Sequence, residues 1–152
     1  MTAIDECLAQ AMAIPGAQGV TLVDYAGGFP VAAVGADDLT DAGEDAAGTA
    51  DLIRAVLAST SIASAWTGDD IEEITVSGTA GYHLLVLVGT ALDTRLCLHL
   101  RLDRRRGNLA LARHRLRGVV RGLAAVCAIG CAEPGAHRVS PFSCRHNSQT
   151  TV

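Results

Sequence analysis

The stretch that most constrains the fold of this chain is residues 95–103, RLCLHLRLD, where apolar and polar side chains alternate without a break. Leucine occupies every second position, and Arg95, Cys97, His99 and Arg101 lie between the leucines. Because successive side chains of a β-strand point to opposite faces, this stretch predicts a strand with one apolar face and one polar face. The polar row has no partner that the sequence identifies.

Two more strands are predicted immediately before this one, with glycine-containing turns between them. Residues 83–88 are apolar on both faces, which favours a central strand that is covered on both sides. Residues 73–77 alternate apolar and hydroxyl side chains, as an edge or half-covered strand does. The acidic residues that lead into this strand, up to Glu73, fit a solvated loop better than a catalytic pair of carboxylates.

Helix and turn signals divide the rest of the chain. Thr2 and Asn108 are suitable helix caps, and Pro15 is a helix stop. The predicted elements, in order, are a helix from Thr2 to Pro15, strands at 19–25 and 31–34, an acidic loop at 35–45, a helix at 46–66, strands at 73–77, 83–88 and 95–103, and a helix from 109 to about 126. Short turns between strands favour antiparallel pairing, so we predict an α+β fold with helices layered on an antiparallel sheet.

The predicted helix 46–66 is apolar over more of its surface than the ~100° that one packed face needs. Such a helix requires a second partner, which is either another part of this chain or another subunit. Residues 127–152 have no periodicity and contain two prolines, which predicts a disordered tail after a single domain at 1–126.

The charges and cysteines indicate a protein with reduced thiols. No stretch approaches the ~20 apolar residues that span a bilayer, and acids stand near the N-terminus where a signal peptide has positive charge. The five cysteines show no paired framework. We therefore expect a cytoplasmic protein that is not inserted in a membrane.

The chain has no sequence signature of catalysis. It contains no lysine, which excludes Schiff-base chemistry and the Walker phosphate loop, and it has no GxSxG, HExxH or GxGxxG motif. His83 and His99 have no nucleophile that the sequence nominates, so we interpret them as structural histidines. The predicted protein is non-enzymatic and has no catalytic residue and no cofactor.

The tail holds the only cluster of residue types that bind metals. No CxxC pair nucleates a zinc site there, so we predict no bound metal. The residues concerned are Cys127, Cys131, His137, Cys144 and His146.

The formal charge of −4 is divided unevenly along the chain. Residues 1–73 contain 13 acids and one arginine, whereas residues 74–152 contain 3 acids and 11 arginines. This division predicts an acidic face or end and a basic one. The arginines of the last helix fit a solvated face or, as a second interpretation, an acidic protein partner. Nucleic acid is not predicted, because no aromatic residues are interleaved to stack on bases.

Four stretches, together with the element order, resemble the Roadblock/dynein light chain (Roadblock/LAMTOR-like) family in its small bacterial members. They are MTAIDECLAQAMAIPGAQGVTLVDYAGGFPVA, TADLIRAVL, GYHLLVLVG and RLCLHLRLDRRRGNLALARHRLR. The resemblance covers residues 1–126 and implies a profilin-like sandwich in which a five-stranded antiparallel sheet lies between helices, in the order α-β-β-α-β-β-β-α.

The same resemblance implies a function. Such proteins are usually homodimers without an active site, and they bind small Ras-like GTPases as scaffolds or regulators in bacterial signalling. Their second helix and third strand form the subunit interface, which joins two sheets edge to edge. The corresponding positions here are Leu52, Val56, Ser59, Ile74, Thr75 and Val76.

The alternative hypothesis is a small-molecule or signal-sensing module, because profilin-like sheets also form ligand pockets. A concave apolar pocket lined by Tyr82, His83 or His99 would favour that alternative.

Overall fold

The computed structural model describes residues 2–35, 39–62, 71–89 and 95–130. Its elements follow the predicted order α-β-β-α-β-β-β-α, which is therefore confirmed. They are α1 (Ala3–Met12), β1 (Ala17–Asp24), β2 (Phe29–Val34), α2 (Leu39–Ala58), β3 (Glu73–Ser77), β4 (Gly81–Val88), β5 (Leu96–Asp103) and α3 (Leu109–Gly130).

The five strands form one sheet in the order β2-β1-β5-β4-β3, and every neighbouring pair is antiparallel. The alternating strand that dominates the sequence, β5, lies at the centre. The doubly apolar strand β4 lies beside it, and Leu84 and Leu85 are both buried on its two faces, as predicted. Strands β2 and β3 form the edges.

The apolar row of β5 packs against α1 and α3, which share one face of the sheet and contact each other. The predicted caps hold both helices. Thr2 forms a capping box with Asp5, in which the Asp5 N–H donates to the Thr2 hydroxyl over 3.2 Å. The Leu111 N–H donates to the Asn108 side chain over 3.0 Å. This face is a dry core of aliphatic side chains: Leu8, Leu84, Val86, Val88, Leu96, Leu98, Leu100, Leu102, Leu116 and Leu123.

The opposite face is covered by α2, which crosses β1 and β2. Four apolar residues of α2 are buried here at helical spacing, namely Ala42, Ala46, Ala50 and Ile53. Because three of them are alanines, the helix lies close to the sheet and buries little side-chain volume. The polar row of β5 faces this helix and so acquires the partner that the sequence did not identify.

The predicted bounds of the second helix are wrong at both ends. It begins at Leu39 rather than at residue 46, because Ala42, one turn before Ala46, extends the buried stripe into the stretch that was predicted as a loop. Its acidic residues also lie in the first turns, where negative charge interacts favourably with the positive end of the helix dipole. The helix ends at Ala58, where Ser59 and Ser61 bond to each other over 3.0 Å instead of continuing it.

The third helix continues to Gly130, four residues beyond its predicted end. The rest of the predicted tail, residues 131–152, lies outside the described residues.

The turn before β1 is in close contact with the turn before α3. Gly16 has a φ of +86°, and a Cβ built there would stand 2.5 Å from the Cα of Gly107. Only glycine fits both the angle and the contact.

Candidate functional site

The edge strand β3 presents unpaired backbone groups. Among the described strands it pairs only with β4. The Leu87 N–H donates to the Glu72 carbonyl over 2.9 Å, and the Gly78 N–H donates to the Gly81 carbonyl over 2.8 Å. In an antiparallel ladder such bonds recur at every second residue, so the residues in between direct their N–H and C=O groups outward. These are Glu73, Thr75 and Ser77.

A shallow groove lies between α2 and this edge. Its volume is about 280 Å³, and its lining is largely apolar on the outside, where Leu52 and Val76 are 38% and 40% exposed. The floor and the remaining walls are formed by Glu44, Asp45, Gly48, Thr49, His83, Leu85 and His99. We call this the α2–β3 groove. Exposed aliphatic side chains beside a free strand edge are typical of an unfilled interface.

The structure brings together some of the six positions that the resemblance suggested for an interface. Leu52 and Val76 lie on the two walls of the α2–β3 groove. Ile74 packs inward against Ile53 and Leu85, so it supports the groove rather than lining it.

The other three positions have different surroundings. Val56 and Ser59 are half-buried, and Ser59 lies just beyond the end of α2. The side chain of Thr75 lies on the opposite face, where its hydroxyl donates to Glu73 Oε1 over 2.9 Å.

Three polar side chains form a connected row under α2. His99 is buried, and its Nδ1 lies 3.3 Å from the hydroxyl of Thr49. Its Nε2 lies 3.1 Å from Nδ1 of His83, which is exposed at the groove. The predicted structural role of both histidines agrees with this arrangement, since both nitrogens of the buried ring are satisfied.

Burial controls the protonation of this row. Loss of solvation and, to a smaller extent, the neighbouring His83 lower the pKa of His99 from 6.5 to about 4, although Asp45 opposes the shift. Burial also raises the pKa of the Cys97 thiol to about 12. His99 is therefore neutral and Cys97 protonated at pH 7, so neither the cation nor the thiolate is available for chemistry.

A second cavity, of about 470 Å³, lies at the other flank of α2. It is lined by Tyr25, Ala26, Arg54, Leu57, Ala58 and Arg95. Leu57 is 39% exposed, and Arg54 forms an exposed ion pair of 3.4 Å with Asp51. Two guanidinium groups beside a leucine and a tyrosine make a surface suited to a protein partner.

Glu73 was misjudged as part of a solvated loop. Its side chain is only 7% exposed and lies under α3, where it is bonded to Arg113 and lies 3.2 Å from Arg117. Burial disfavours its ionisation most strongly, but the hydrogen bonds from Arg113 and Thr75 and the charges of both arginines together lower the pKa of the carboxyl. A basic helix packed over an edge strand is a tertiary feature that no local pattern reveals.

The two faces of the sheet carry opposite charge, as the uneven sequence predicted. The exposed acids Glu44, Asp45 and Asp51 lie on α2, and the exposed arginines Arg113, Arg115, Arg117 and Arg121 lie on α3. Arg101 of β5 reaches Asp45 over 3.6 Å, at the rim of the α2 face.

The described residues hold no group of three side chains that could bind a metal ion. Of the tail cluster that the sequence singled out, Cys127 is half-buried on α3, and Cys131, His137, Cys144 and His146 lie outside the described residues. No helix in the described part of the chain is both long and apolar enough to cross a membrane.

The fold matches solved structures along most of its length. Myxococcus xanthus MglB superposes with a TM-score of 0.71 at 21% identity, covering 85% of this chain and 98% of that one. A Roadblock/LC7 domain from Streptomyces avermitilis superposes with a TM-score of 0.67 at 16% identity, covering 82% and 97%. The chain folds as a Roadblock-like domain. This confirms the predicted sandwich of a five-stranded antiparallel sheet between helices.

The Roadblock-like domain is also similar to an MglB with a tetrameric arrangement, with a TM-score of 0.67 at 19% identity, covering 84% of this chain and 88% of that one. No model of a protein family matches the sequence, and no curated protein matches it either.

Proposed function

We propose that the protein is a homodimeric, non-enzymatic scaffold or regulator that binds a small Ras-like GTPase in the cytoplasm of a bacterium. The observation that carries the proposal is the α2–β3 groove beside a free strand edge, within a Roadblock-like fold. The tetrameric arrangement of a similar MglB supports self-association. The resemblance in sequence supports the GTPase as partner.

The dimer uses the α2–β3 groove. Leu52 and Val76 together expose apolar surface that a second copy removes from water, at about 25 cal/mol per Å² of apolar area. The edge of β3 offers backbone groups that a second strand satisfies. Both features lie on one side of the molecule, so one partner covers both.

The GTPase uses the other flank of α2, which the dimer leaves open. The cavity there combines Tyr25, Arg54, Leu57 and Arg95. Tyrosine and arginine are enriched among the residues that dominate binding energy at protein interfaces. The guanidinium groups suit an acidic patch on the partner, because opposite charges steer association.

Light scattering tests the dimer with two leucines that are equally exposed. Leu52 on α2 and Leu111 on α3 are both 38% exposed, but they lie on opposite faces of the sheet. Leu52→Asp is expected to give a monomer at micromolar concentration, because the interface buries an unpaired charge. Leu111→Asp is expected to leave the dimer intact. A wild-type protein that is monomeric would refute the proposed dimer.

Binding of a GTPase is tested by calorimetry with a Ras-like GTPase from the same genome, loaded with GDP or with a non-hydrolysable GTP analogue. We expect binding that depends on the nucleotide and that Arg54→Glu weakens by at least about tenfold, which corresponds to ~1.4 kcal/mol. Arg121→Glu on α3 is the matched control. Equal loss with both variants, or no binding in either nucleotide state, contradicts the proposal.

The second candidate is a small-molecule-sensing module, and the histidine-lined α2–β3 groove is the observation that favours it. At about 280 Å³ the groove is slightly below the ~300–1,000 Å³ typical of ligand pockets, and Leu52 and Val76 of its rim suit a second copy better. A monomeric protein whose His83 and His99 resonances shift with a metabolite would support the module over the dimer.

A further inference from the structure

We infer that the basic side of the molecule, formed by α3 and the turn before it, binds to the surface of a membrane that contains anionic lipids. We call this surface the α3 arginine face and define it by six exposed arginines: Arg105, Arg106, Arg113, Arg115, Arg117 and Arg121. The surfaces that carry the proposed function lie along α2, on the other side of the sheet. The inference therefore goes beyond the proposed function and does not depend on it.

The chain concentrates its positive charge in one stretch. From Arg104 to Arg121 it has seven arginines in 18 residues and no acidic residue. The structure folds this stretch into one turn and the first half of α3, a helix of 22 residues that is ~33 Å long. Clusters of about four to eight basic residues on a helix are typical of proteins that bind anionic lipid head groups.

Most of these charges are not neutralised by a neighbour. Arg113 and Arg117 share a single carboxylate, that of Glu73, whose side chain is only 7% exposed. Four other arginines form no ion pair with any residue that the structure describes: Arg105, Arg106, Arg115 and Arg121. By helical periodicity Arg115 and Arg117 lie on the two flanks of α3 and Arg121 lies between them, so the charge covers the whole width of the helix.

The nearest acids outside α3 are held by local hydrogen bonds. Asp103 accepts from the backbone N–H groups of Arg105 over 2.7 Å and of Arg106 over 2.9 Å, and so it orders the turn that presents both guanidinium groups. On the adjacent helix α1, Asp5 forms the capping box with Thr2. These carboxylates therefore support the local structure and leave the α3 arginine face basic.

The opposite side of the molecule has the opposite charge. Its exposed acids are on α2, namely Glu44, Asp45 and Asp51. A molecule with arginines on one side and acids on the other turns its basic side toward a negatively charged surface. The α2–β3 groove and the cavity beside Arg54 then face away from the membrane and stay accessible.

The distribution of side chains favours a plane of lipid head groups over a protein partner. Protein interfaces are typically built around a central cluster of aromatic or aliphatic side chains. On α3 the large exposed aliphatic side chains are Leu111 and Ile129, which are ~27 Å apart along the helix. Between them the exposed residues are arginines, His114, glycines and alanines. Residues 104–130 contain no aromatic residue that could stack on a nucleic acid base.

The contact is electrostatic and stays at the membrane surface. The apolar stripe of α3 is buried in the core, where Leu116 and Leu123 are fully shielded, so this helix has no free apolar face to insert. The arginines then act through their charge alone. Such binding weakens with added salt, because the Debye length shortens from ~10 Å at 0.1 M to ~3 Å at 1 M ionic strength.

Co-sedimentation of the full chain with vesicles tests the inference. One set of vesicles is phosphatidylcholine, and the other is phosphatidylcholine mixed with an equal amount of phosphatidylglycerol. We expect binding to the anionic vesicles only. We also expect this binding to be lost in ~1 M sodium chloride, where charges are screened within ~3 Å.

Paired arginine variants locate the contact. Arg115→Gln and Arg121→Gln are each expected to weaken binding to the anionic vesicles about fivefold, and the double variant about 25-fold. The double variant Arg54→Gln, Arg95→Gln removes the same charge from the α2 side and is expected to bind these vesicles as the wild type does. Urea unfolding checks that both double variants keep the native fold.

Three results would overturn the inference. The first is no binding to the anionic vesicles, and the second is equal weakening by the two double variants, which net charge alone would explain. The third is tighter binding to polyglutamate or to a DNA duplex than to the anionic vesicles at the same salt concentration. None of these results bears on the proposed function, which is tested by the mass of the dimer and by titration with the GTPase.

Discussion

The two faces of the sheet are built from different materials. Under α1 and α3 the sheet buries leucines and valines that are fully shielded from water. Under α2 the buried side chains are alanines, Ile53, Val23, Leu85 and Cys97, together with the polar side chains Thr21, Thr49 and His99. The first face holds the fold together by dry packing. The second face buries less side-chain volume and is partly polar. It leaves apolar side chains exposed at its rim, so it is the face with apolar surface suited to binding.

The largest effect is expected from the dry face. Leu98 of β5 is fully buried against α1 and α3. Leu98→Ala is expected to lower the free energy of unfolding by about 4 kcal/mol, because lost burial and a residual cavity add together. Leu52→Ala, at the rim of the α2 face, is expected to change it by less than about 0.5 kcal/mol in the monomer. Urea denaturation measures the free energy of unfolding of both variants. Similar decreases in the two would contradict the proposed difference between the faces.

Acid is expected to weaken the α2 face next. The pKa of His99 is lowered from 6.5 to about 4. Between these pH values the unfolded chain therefore binds a proton at this histidine that the folded protein does not bind. Stability therefore falls as the pH decreases from 6.5 to about 4, by roughly 3 kcal/mol in total. Urea titrations at several pH values measure the slope. His99→Gln should flatten it, and an unchanged slope in that variant contradicts the assignment to His99.

A smaller loss is expected where the two turns touch on the dry face. Gly16→Ala forces an L-residue into a φ of +86° and drives its Cβ into Gly107. We expect a loss of about 2 kcal/mol in thermal or urea unfolding. Gly118→Ala, in open space within α3, is the control and should stabilise the helix by up to about 1 kcal/mol. The reverse ranking would contradict the close contact.

The smallest effect concerns the ion pairs at the edge of the α3 side. Glu73→Gln is expected to lower stability at pH 7 by about 1 kcal/mol, because Arg113 and Arg117 are 45% exposed and solvent screens their charges. Glu72→Gln is the exposed neighbour that should have no effect.

The pH range of this contribution differs from that of His99. The pKa of Glu73 is lowered, so its share of stability is present above the ordinary carboxyl value of 4.5 and is lost as the pH falls below it. The α2 face thus begins to weaken near pH 6.5, whereas the contribution of Glu73 is lost only below pH 4.5. A Glu73→Gln variant that altered the slope near pH 6 would contradict this separation.

The strands were predictable because their pattern is local. Both ends of β3 were predicted correctly, at residues 73 and 77. The leucines of β5 lie together on the packed face, because side chains that alternate with a period of two admit no other arrangement. The bounds of α2 were not predictable in the same way. Alanine contributes to a buried stripe without a strong hydrophobic signal, so Ala42 was predicted as part of a loop.

The site was predictable only in outline. The free edge of β3 and the exposed Leu52 lie at positions that the resemblance suggested. The bond between Thr49 and His99 joins residues 50 apart in sequence. Glu73 is covered by residues of α3 that lie 40 or more positions later. Such contacts follow from how helices cross the sheet, and a single sequence does not encode them as a pattern.

The packing of α2 on the sheet through alanines affects how readily the amide hydrogens of this helix exchange. A helix that is attached by Ala42, Ala46, Ala50 and Ile53 loses little buried area when it detaches, so it can open without unfolding the sheet. Its amides should exchange at a free energy well below that of β5. A partner that binds along α2 raises the free energy of this opening by its own binding free energy. Slower exchange of the α2 amides is therefore the earliest sign of a bound partner.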